Sequence, residues 1–177
     1  MKFKNILLLA SFLLGAGVTL FAQEGPANNE KEFEKQYQER IKQEKLNGVY
    51  IPKNLDDALL QLDKLITADA KIKIKSIPED SVRFRLHARL GQWIIMNWGF
   101  YGGSRLSHYL RSAGVTYPDD MADFILMAYH RKLNGKPYSI KELATGFRDR
   151  RKMDFEKEKK KRKVIKEETR PKQKDRR

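Results

Sequence analysis

The sequence predicts an all-α protein, a compact single helical domain of about five helices with a basic, partly helical C-terminal tail. Three observations predict this class. Apolar residues between positions 54 and 147 recur at intervals of three and four, which is the α-helical period. Asparagine, serine or proline precedes several of these runs, and glycine follows several. A single short segment alternates like a strand, and the sequence offers no second strand pattern to pair with it.

The length and composition limit the classes of protein that this chain can form. Its 177 residues correspond to one domain. It contains no cysteine, so disulfides, thiolate metal sites, a cysteine nucleophile and a lipid-modified cysteine are excluded. The hydrophobic fraction of 40% can form a core, but the charged fraction of 34% exceeds the roughly 25% usual in globular chains. The charge must therefore be concentrated in one part of the chain.

Residues 1–22 are typical of a secretory signal peptide. Two lysines precede an uncharged run from Asn5 to Phe21, and the small residue Ala22 offers a cleavage point before Gln23. An uncleaved anchor is the alternative, because the run of 17 residues reaches the lower limit for crossing a bilayer. In both cases we expect the remaining chain to be exported, and after cleavage to be periplasmic or secreted.

The basic tail, residues 148–177, carries most of the positive charge. It holds 16 basic and 7 acidic residues, a net of +9 out of the formal +14 for the chain. The signal segment contributes +2, which leaves +3 for residues 23–147. The tail, extended or helical, is predicted to contact an anionic envelope surface, and a solvated helical face is the alternative. Export argues against nucleic acid as the partner.

Residues 23–47 are predicted to form a linker and a charged helix. The helix spans Glu30–Leu46, where Phe33, Tyr37 and Ile41 make a narrow apolar stripe. We expect such a helix to pack loosely on the body or not at all. The asparagine and glycine that follow are predicted to end it, because both tolerate the left-handed conformation of a helix terminus.

The helical domain is predicted over residues 48–147. It begins with an extended segment before Pro52, because the residue before a proline avoids helical geometry. Asn54 caps an amphipathic helix that ends near Ile66. The alternating segment Lys71–Lys75 is predicted to be an extended connector.

The longest apolar helix is predicted from Pro78 to about Trp98, and we expect it to be the central helix with Trp93 buried. Two adjacent apolar stripes indicate burial on most of its sides. One stripe is Val82, Leu86, Leu90, Trp93 and Ile94, and the other is Phe84, Ala88, Gly91, Ile95 and Trp98.

Three further helix starts follow from capping chemistry. Ser104 is predicted to cap a short helix that ends at Ala113. Pro118 opens the next helix in its first turn, with two aspartates at the positive end of the helix dipole. Ser139 and Glu142 form a capping box that starts the last helix.

Four segments in order resemble a small bacterial domain of unknown function over about residues 48–138. The segments are Tyr50–Leu55, Trp93–Leu106, Pro118–Met121 and Tyr129–Lys136. The resemblance implies a compact helical unit without an assigned activity, and it transfers no catalytic residue to this chain. The signal segment, the charged helix and the basic tail lie outside it.

Three histidines and three aspartates could in principle form a metal site. The histidines lie on different predicted helices, and no pair has the four-residue spacing that places two ligands on one helical face. We therefore predict no metal and no cofactor. The residues in question are His87, His108, His130, Asp119, Asp120 and Asp123.

A hydrolytic triad is the second catalytic hypothesis. Ser104 and His108 are four apart on one helix, and Asp119 or Asp120 could orient the imidazole. Ser104 is already needed as an N-cap, and its surroundings lack the Gly-x-Ser-x-Gly elbow that exposes a nucleophile. We predict no catalytic residue.

The aromatic glycine-rich loop, residues 97–105, is the candidate binding site. It combines flat side chains for stacking on a sugar or peptide with glycines that allow close approach. The candidate ligand-binding residues are Trp98, Phe100, Tyr101, Arg105 and Arg131. The alternative is that Trp98 and Phe100 fill the core, while the arginines pair with Asp119, Asp120 and Asp123.

These observations predict an exported bacterial protein, a non-enzymatic binding or interaction module of the cell envelope whose protein or glycan partner is unknown. The alternative is a small, hydrolase-like envelope enzyme with its site at the aromatic glycine-rich loop. A pocket with converging polar groups beside Trp98 would favour the enzyme, and a filled core would favour the module.

Overall fold

The computed structural model describes residues 27–168, with side chains up to residue 162. The predicted signal peptide, its cleavage point and the end of the basic tail lie outside the described residues. Within residues 27–168, the structure contains no helix long and apolar enough to span a membrane.

The described chain is mostly helical, and the predicted all-α class is confirmed. A two-residue antiparallel hairpin, β1 with β2, is the exception. The elements are α1 (Glu30–Arg40), β1 (Lys45–Leu46), β2 (Val49–Tyr50), α2 (Leu55–Leu65), α3 (Ala68–Lys75), α4 (Val82–Leu86), a π-helical turn (His87–Gly91), α5 (Gln92–Asn97), α6 (Arg105–Ser112), α7 (Pro118–Leu133) and α8 (Ile140–Glu168).

The predicted helix starts are confirmed by their hydrogen bonds. Asn54 accepts a hydrogen bond from the Asp57 backbone at 3.0 Å. Ser139 accepts one from the Glu142 backbone at 3.4 Å, and Pro118 occupies the first turn of α7. Each of the two hydrogen bonds satisfies a backbone N–H that the first helical turn leaves free. Proline has no backbone N–H, so it fits the first turn, where that N–H would have no partner.

The centre of the fold is α7, although the sequence predicted that the preceding apolar helix would be central. α7 contacts α2, α3, α4, α5, α6 and α8. Nine of its 16 residues are buried, including Phe124 and Tyr129. This position follows from the apolar residues on nearly every side of α7, which a helix acquires when neighbours surround it.

The predicted helix from Pro78 to Trp98 is interrupted, and this changes which residues are buried. The turn His87–Gly91 is π-helical, with hydrogen bonds five residues apart instead of four. The wider turn rotates the following residues relative to a uniform α-helix. Trp93, which we predicted to be buried, is 36% exposed, whereas Trp98 is 1% exposed.

The first half of that predicted helix also has a narrower buried face than expected. Val82 is fully buried, but Phe84 on the second predicted stripe is 89% exposed. Ala88 is exposed as well. Three residues of the second predicted stripe are buried as expected: Gly91, which ends the π-helical turn, and Ile95 and Trp98, which follow it.

The alternating segment Lys71–Lys75 is the end of α3, so the predicted extended connector is wrong. Thr67 caps this helix by accepting a hydrogen bond from the Ala70 backbone at 3.4 Å. Within α3, Ile74 faces the core and Ile72 is 68% exposed. Alternation alone does not produce a strand, because a stable strand also needs neighbouring strands for hydrogen bonding.

The predicted charged helix is also shorter than expected. It ends at Arg40, and residues 45–50 form the hairpin instead of continuing it. Asn47 and Gly48 both have positive φ angles, 49° and 78°. Two consecutive positive φ angles are the geometry of a tight hairpin turn. The asparagine and glycine therefore reverse the chain between two strands and do not cap a helix.

Candidate functional site

The interior of the aromatic glycine-rich loop is filled by its own side chains. Trp98 is 1% exposed and Phe100 is fully buried, so both belong to the hydrophobic core. Tyr101 points outward and is 61% exposed. Trp98 and Phe100 therefore fill the core of the described structure, as the core-filling alternative expects.

The outer face of the same loop is covered by α1. The ring of Tyr37 lies against Gly103, where a Cβ atom would overlap it. Nε of Arg40 donates a hydrogen bond to the Gly103 carbonyl at 3.0 Å. A Cβ atom at Gly102 would lie 3.1 Å from the Arg40 guanidinium. The glycines of the loop thus make room for Tyr37 and Arg40 of α1. These contacts fix α1 on the body, whereas its narrow apolar stripe predicted loose packing or none.

The structure does not assemble the hydrolytic triad. Ser104 is fully buried, and its Oγ accepts a hydrogen bond from the Ser107 backbone at 3.2 Å. Nδ1 of His108 lies 2.9 Å from the Tyr37 hydroxyl. The serine therefore serves as the N-cap of α6, and the histidine helps to hold α1 in place.

The two candidate arginines lie apart and have other partners than the aspartates proposed for them. Nε of Arg105 donates to the Ile51 carbonyl at 2.6 Å, and its guanidinium lies over the ring of Tyr50. Arg131 forms ion pairs with Glu79 at 2.7 Å and Glu142 at 3.3 Å. Both arginines fasten chain segments together, and the structure does not bring the five candidate residues into one site.

The aspartates considered as metal ligands are engaged in ion pairs. Asp123 is nearly buried and lies 2.7 Å from Nδ1 of His87 and 2.9 Å from Nε of Arg83. Asp120 pairs with Arg151 of α8 at 2.6 Å. Among the described residues, no group of three potential ligands is placed to hold a metal ion.

Two other carboxyl groups link separate parts of the fold. Hydrogen bonds from Lys136 and Arg131 lower the pKa of Glu79 below its ordinary value. Burial disfavours the charged form of Asp63, but hydrogen bonds from Lys132 and Tyr129 outweigh it and lower this pKa as well. Both groups are therefore ionised at neutral pH and contribute to packing on α7.

An open groove lies along α8, and sequence reasoning missed it. This groove, called here the α8 groove, has a volume of about 500 Å³. It runs between residues 114–117 and the outer turns of α8. Its lining residues are Gly114, Val115, Thr116, Tyr117, Asp120, Phe147, Arg148, Arg151, Lys152, Asp154, Phe155, Glu158 and Arg162.

The α8 groove has apolar walls and a basic rim. Tyr117 is 52% exposed and Phe155 is 66% exposed, while Phe147 at the base is buried. The Arg151 guanidinium lies 4.2 Å above the Tyr117 ring and holds α8 against the body. Phe147, Arg151 and Phe155 are spaced by four, which places them on one helical face. That spacing was the sequence signal for this wall.

The cations of the described tail are largely unpaired. From Arg148 to Arg162 there are nine basic and four acidic residues, and all are exposed except Arg150, which is half-buried. Within this stretch, Arg151 and Lys161 form ion pairs, at 2.6 Å and 3.0 Å. The helix continues to Glu168. The exposed part of α8 therefore presents a surface of uncompensated positive charge.

Comparison with known proteins agrees with the resemblance noted in the sequence. Residues 51–133 match the family model described as Domain of unknown function (DUF6794). No curated protein and no solved structure matches the chain. The helix α1, the hairpin and α8 lie outside the matched residues, which include α2 to α7. Over residues 51–133, the match is therefore consistent with a small domain of unknown function.

Proposed function

We propose that this protein is an exported, non-enzymatic interaction module of the bacterial cell envelope that binds an anionic surface through α8 and the basic tail. The observation that carries the proposal is the exposed, mostly unpaired row of cations between Phe147 and Arg162, where Phe147 is the last buried residue among the described side chains of α8. Exposed cations attract anionic surfaces mainly through charge density.

The filled aromatic glycine-rich loop supports the binding module over the small enzyme. Trp98 and Phe100 leave no room for a substrate between them, and α1 covers the glycines from outside. Ser104 is buried within its own capping box. A nucleophile requires access to its substrate, so the hydrolase-like alternative gains no support from this geometry.

Sedimentation with vesicles tests the proposal. The full mature chain and a chain ending at Lys152, which retains the Arg151–Asp120 ion pair, are mixed with vesicles of phosphatidylglycerol and phosphatidylcholine. We expect the full chain to sediment and the shortened chain to stay in the supernatant. Binding should decrease strongly between 0.1 M and 1 M salt, because the screening length falls from about 10 Å to about 3 Å.

Circular dichroism provides the folding control for the shortened chain. The residues after Lys152 contribute no buried side chain to the described core, so its melting temperature should match that of the full chain. Equal sedimentation of the two chains would overturn the proposal. So would strong binding to vesicles of phosphatidylcholine alone.

A further inference from the structure

We infer that the α8 groove holds a single anionic phospholipid, with the phosphate at the basic rim and an acyl chain along the aromatic wall. The inference rests on the proposed function and adds a defined site to it. Surface attraction by the tail requires charge alone, whereas the α8 groove combines charge with an apolar channel.

The size and walls of the groove fit part of an amphiphile. Its volume of about 500 Å³ lies within the roughly 300–1,000 Å³ typical of ligand sites. Tyr117 and Phe155 line it while remaining more than half exposed. Water meets two large apolar surfaces there, and burying them against an acyl chain would be favourable. Tyrosine side chains such as Tyr117 also commonly lie at the level of lipid headgroups.

The rim supplies cations that the protein itself does not neutralise. Arg151 is paired with Asp120, and Glu158 is paired with Lys161. Lys152 and Arg162 also line the groove, and neither forms an ion pair within the part of the chain that the structure describes. These two positive charges are available to a phosphate.

Two further lining charges complete the rim. Arg148 donates a hydrogen bond to the neutral Thr145 hydroxyl at 3.1 Å and so keeps its positive charge uncompensated. Asp154 is the remaining unpaired carboxylate of the lining. Three free cations against one free anion favour an anionic ligand over a neutral one.

The combination of walls and rim favours a lipid over other anions. A free phosphate would contact the cations but leave Tyr117 and Phe155 in water. An acidic peptide would meet the same cations, yet a long acyl chain covers a continuous apolar wall more completely than alternating polar groups do. Placement of α8 beside an anionic surface also raises the local concentration of lipid.

The test compares matched substitutions on the same helix of the full mature chain. Phe155→Ser removes a lining aromatic residue, and Met153→Ser removes an exposed apolar residue that does not line the groove. The double change of Lys152 and Arg162 to serine removes two rim charges. Its control is the same double change at Lys157 and Lys160, which lie outside the lining.

The first probe is a soluble short-chain phosphatidylglycerol below its micelle concentration, titrated by calorimetry, with glycerol phosphate as the headgroup without acyl chains. We expect the short-chain lipid to bind the unmodified chain and glycerol phosphate to bind at least tenfold more weakly. Phe155→Ser should weaken lipid binding roughly tenfold, and Met153→Ser should leave it unchanged. The double change of Lys152 and Arg162 should weaken lipid binding more than the double change of Lys157 and Lys160 does.

The outcomes separate this inference from the proposed function. If the two charge pairs reduce vesicle binding equally and Phe155→Ser behaves like Met153→Ser, the tail binds by charge alone and the lipid site is wrong. Equal binding of glycerol phosphate and the short-chain lipid also overturns it, in favour of a simple anion site. Displacement of the lipid by an acidic peptide at lower concentration would assign the groove to a protein partner. If the unmodified mature chain does not bind anionic vesicles at all, the proposed function itself is overturned.

Discussion

Replacing each tryptophan with alanine should separate two residues that a uniform helical pattern treats alike. Trp98 is 1% exposed, and truncating a buried tryptophan costs about 3–5 kcal/mol through lost burial and the cavity that remains. A domain has a free energy of unfolding of about 5–15 kcal/mol, so Trp98→Ala should remove a large share of it.

Trp93→Ala should cost much less, about 1–2 kcal/mol, because Trp93 is 36% exposed and water can fill the space that it leaves. Part of this cost is the edge contact between the two rings, whose centroids lie 5.9 Å apart. Such aromatic contacts contribute about 0.5–1.5 kcal/mol and are lost in either variant. The expected difference between the variants is therefore about 2–3 kcal/mol, a value that combines the two estimates.

Urea unfolding followed by far-ultraviolet circular dichroism measures both costs. The chain contains two tryptophans, so each variant keeps one as a fluorescent reporter. The folded Trp93→Ala variant should emit at shorter wavelength than the Trp98→Ala variant, because its remaining indole is buried. Equal destabilisation by both substitutions, at equal denaturant dependence, would refute the π-helical rotation as the reason for the exposure of Trp93.

Three further predictions concern other parts of the chain. Gly103→Ala should displace Tyr37 and increase hydrogen exchange in α1. Gly135→Ala is the control, because Gly135 also has a positive φ but a Cβ atom there would have no neighbour within 4 Å. Equal hydrogen exchange of α1 in the two variants would count against the docking of α1. Glu79→Gln should lower the free energy of unfolding by about 1 kcal/mol at pH 7. The pKa of Glu79 is lowered from 4.5 in the folded state, so this difference should shrink as the pH falls below about 4.5, and a difference that stays constant to pH 2.5 would contradict the ionised pairing. N-terminal sequencing of the exported protein should begin at Gln23, and recovery of the intact leader would show that the segment is retained.

Local signals in the sequence were sufficient for most of the fold. Asn54, Pro118 and Ser139 mark helix starts because capping depends on a side chain and a backbone only a few residues away. The helix α7 was predicted from its proline and the two aspartates of its first turn, and it does begin at Pro118. Its central position was not predicted, because centrality depends on how many other elements pack around a helix.

The errors arose where the outcome depends on distant contacts. A single additional residue in a helical turn leaves the apolar period nearly intact over a short window, so the exposure of Trp93 could not be read from spacing. Lys71–Lys75 alternates like a strand but pairs with no strand in the described part of the chain, and it forms the helical hydrogen bonds of α3 instead. The partners of Arg105 and Arg131 lie more than ten residues away, which sequence spacing does not specify.

The loop predicted as a candidate binding site is filled by its own side chains and covered by α1. The aromatic glycine-rich loop was predicted to bind a ligand because glycine permits close approach, and close approach does occur there. The approaching group is Tyr37 of the same chain. The groove beside α8 was missed because its walls, Tyr117 and Phe155, are separated by a whole helix and meet only in the folded chain.

The π-helical turn also marks a position at which the chain can lose one residue without changing which side chains are buried. In an α-helix of 3.6 residues per turn, deleting one residue rotates everything that follows by about 100°. A π-helical turn already accommodates one extra residue, so removing the exposed Ala88 would convert it into an ordinary turn and leave the helices on either side facing as before. Ile94 and Trp98 would remain in the core, whereas the same deletion within α7 would turn its buried face away from its neighbours.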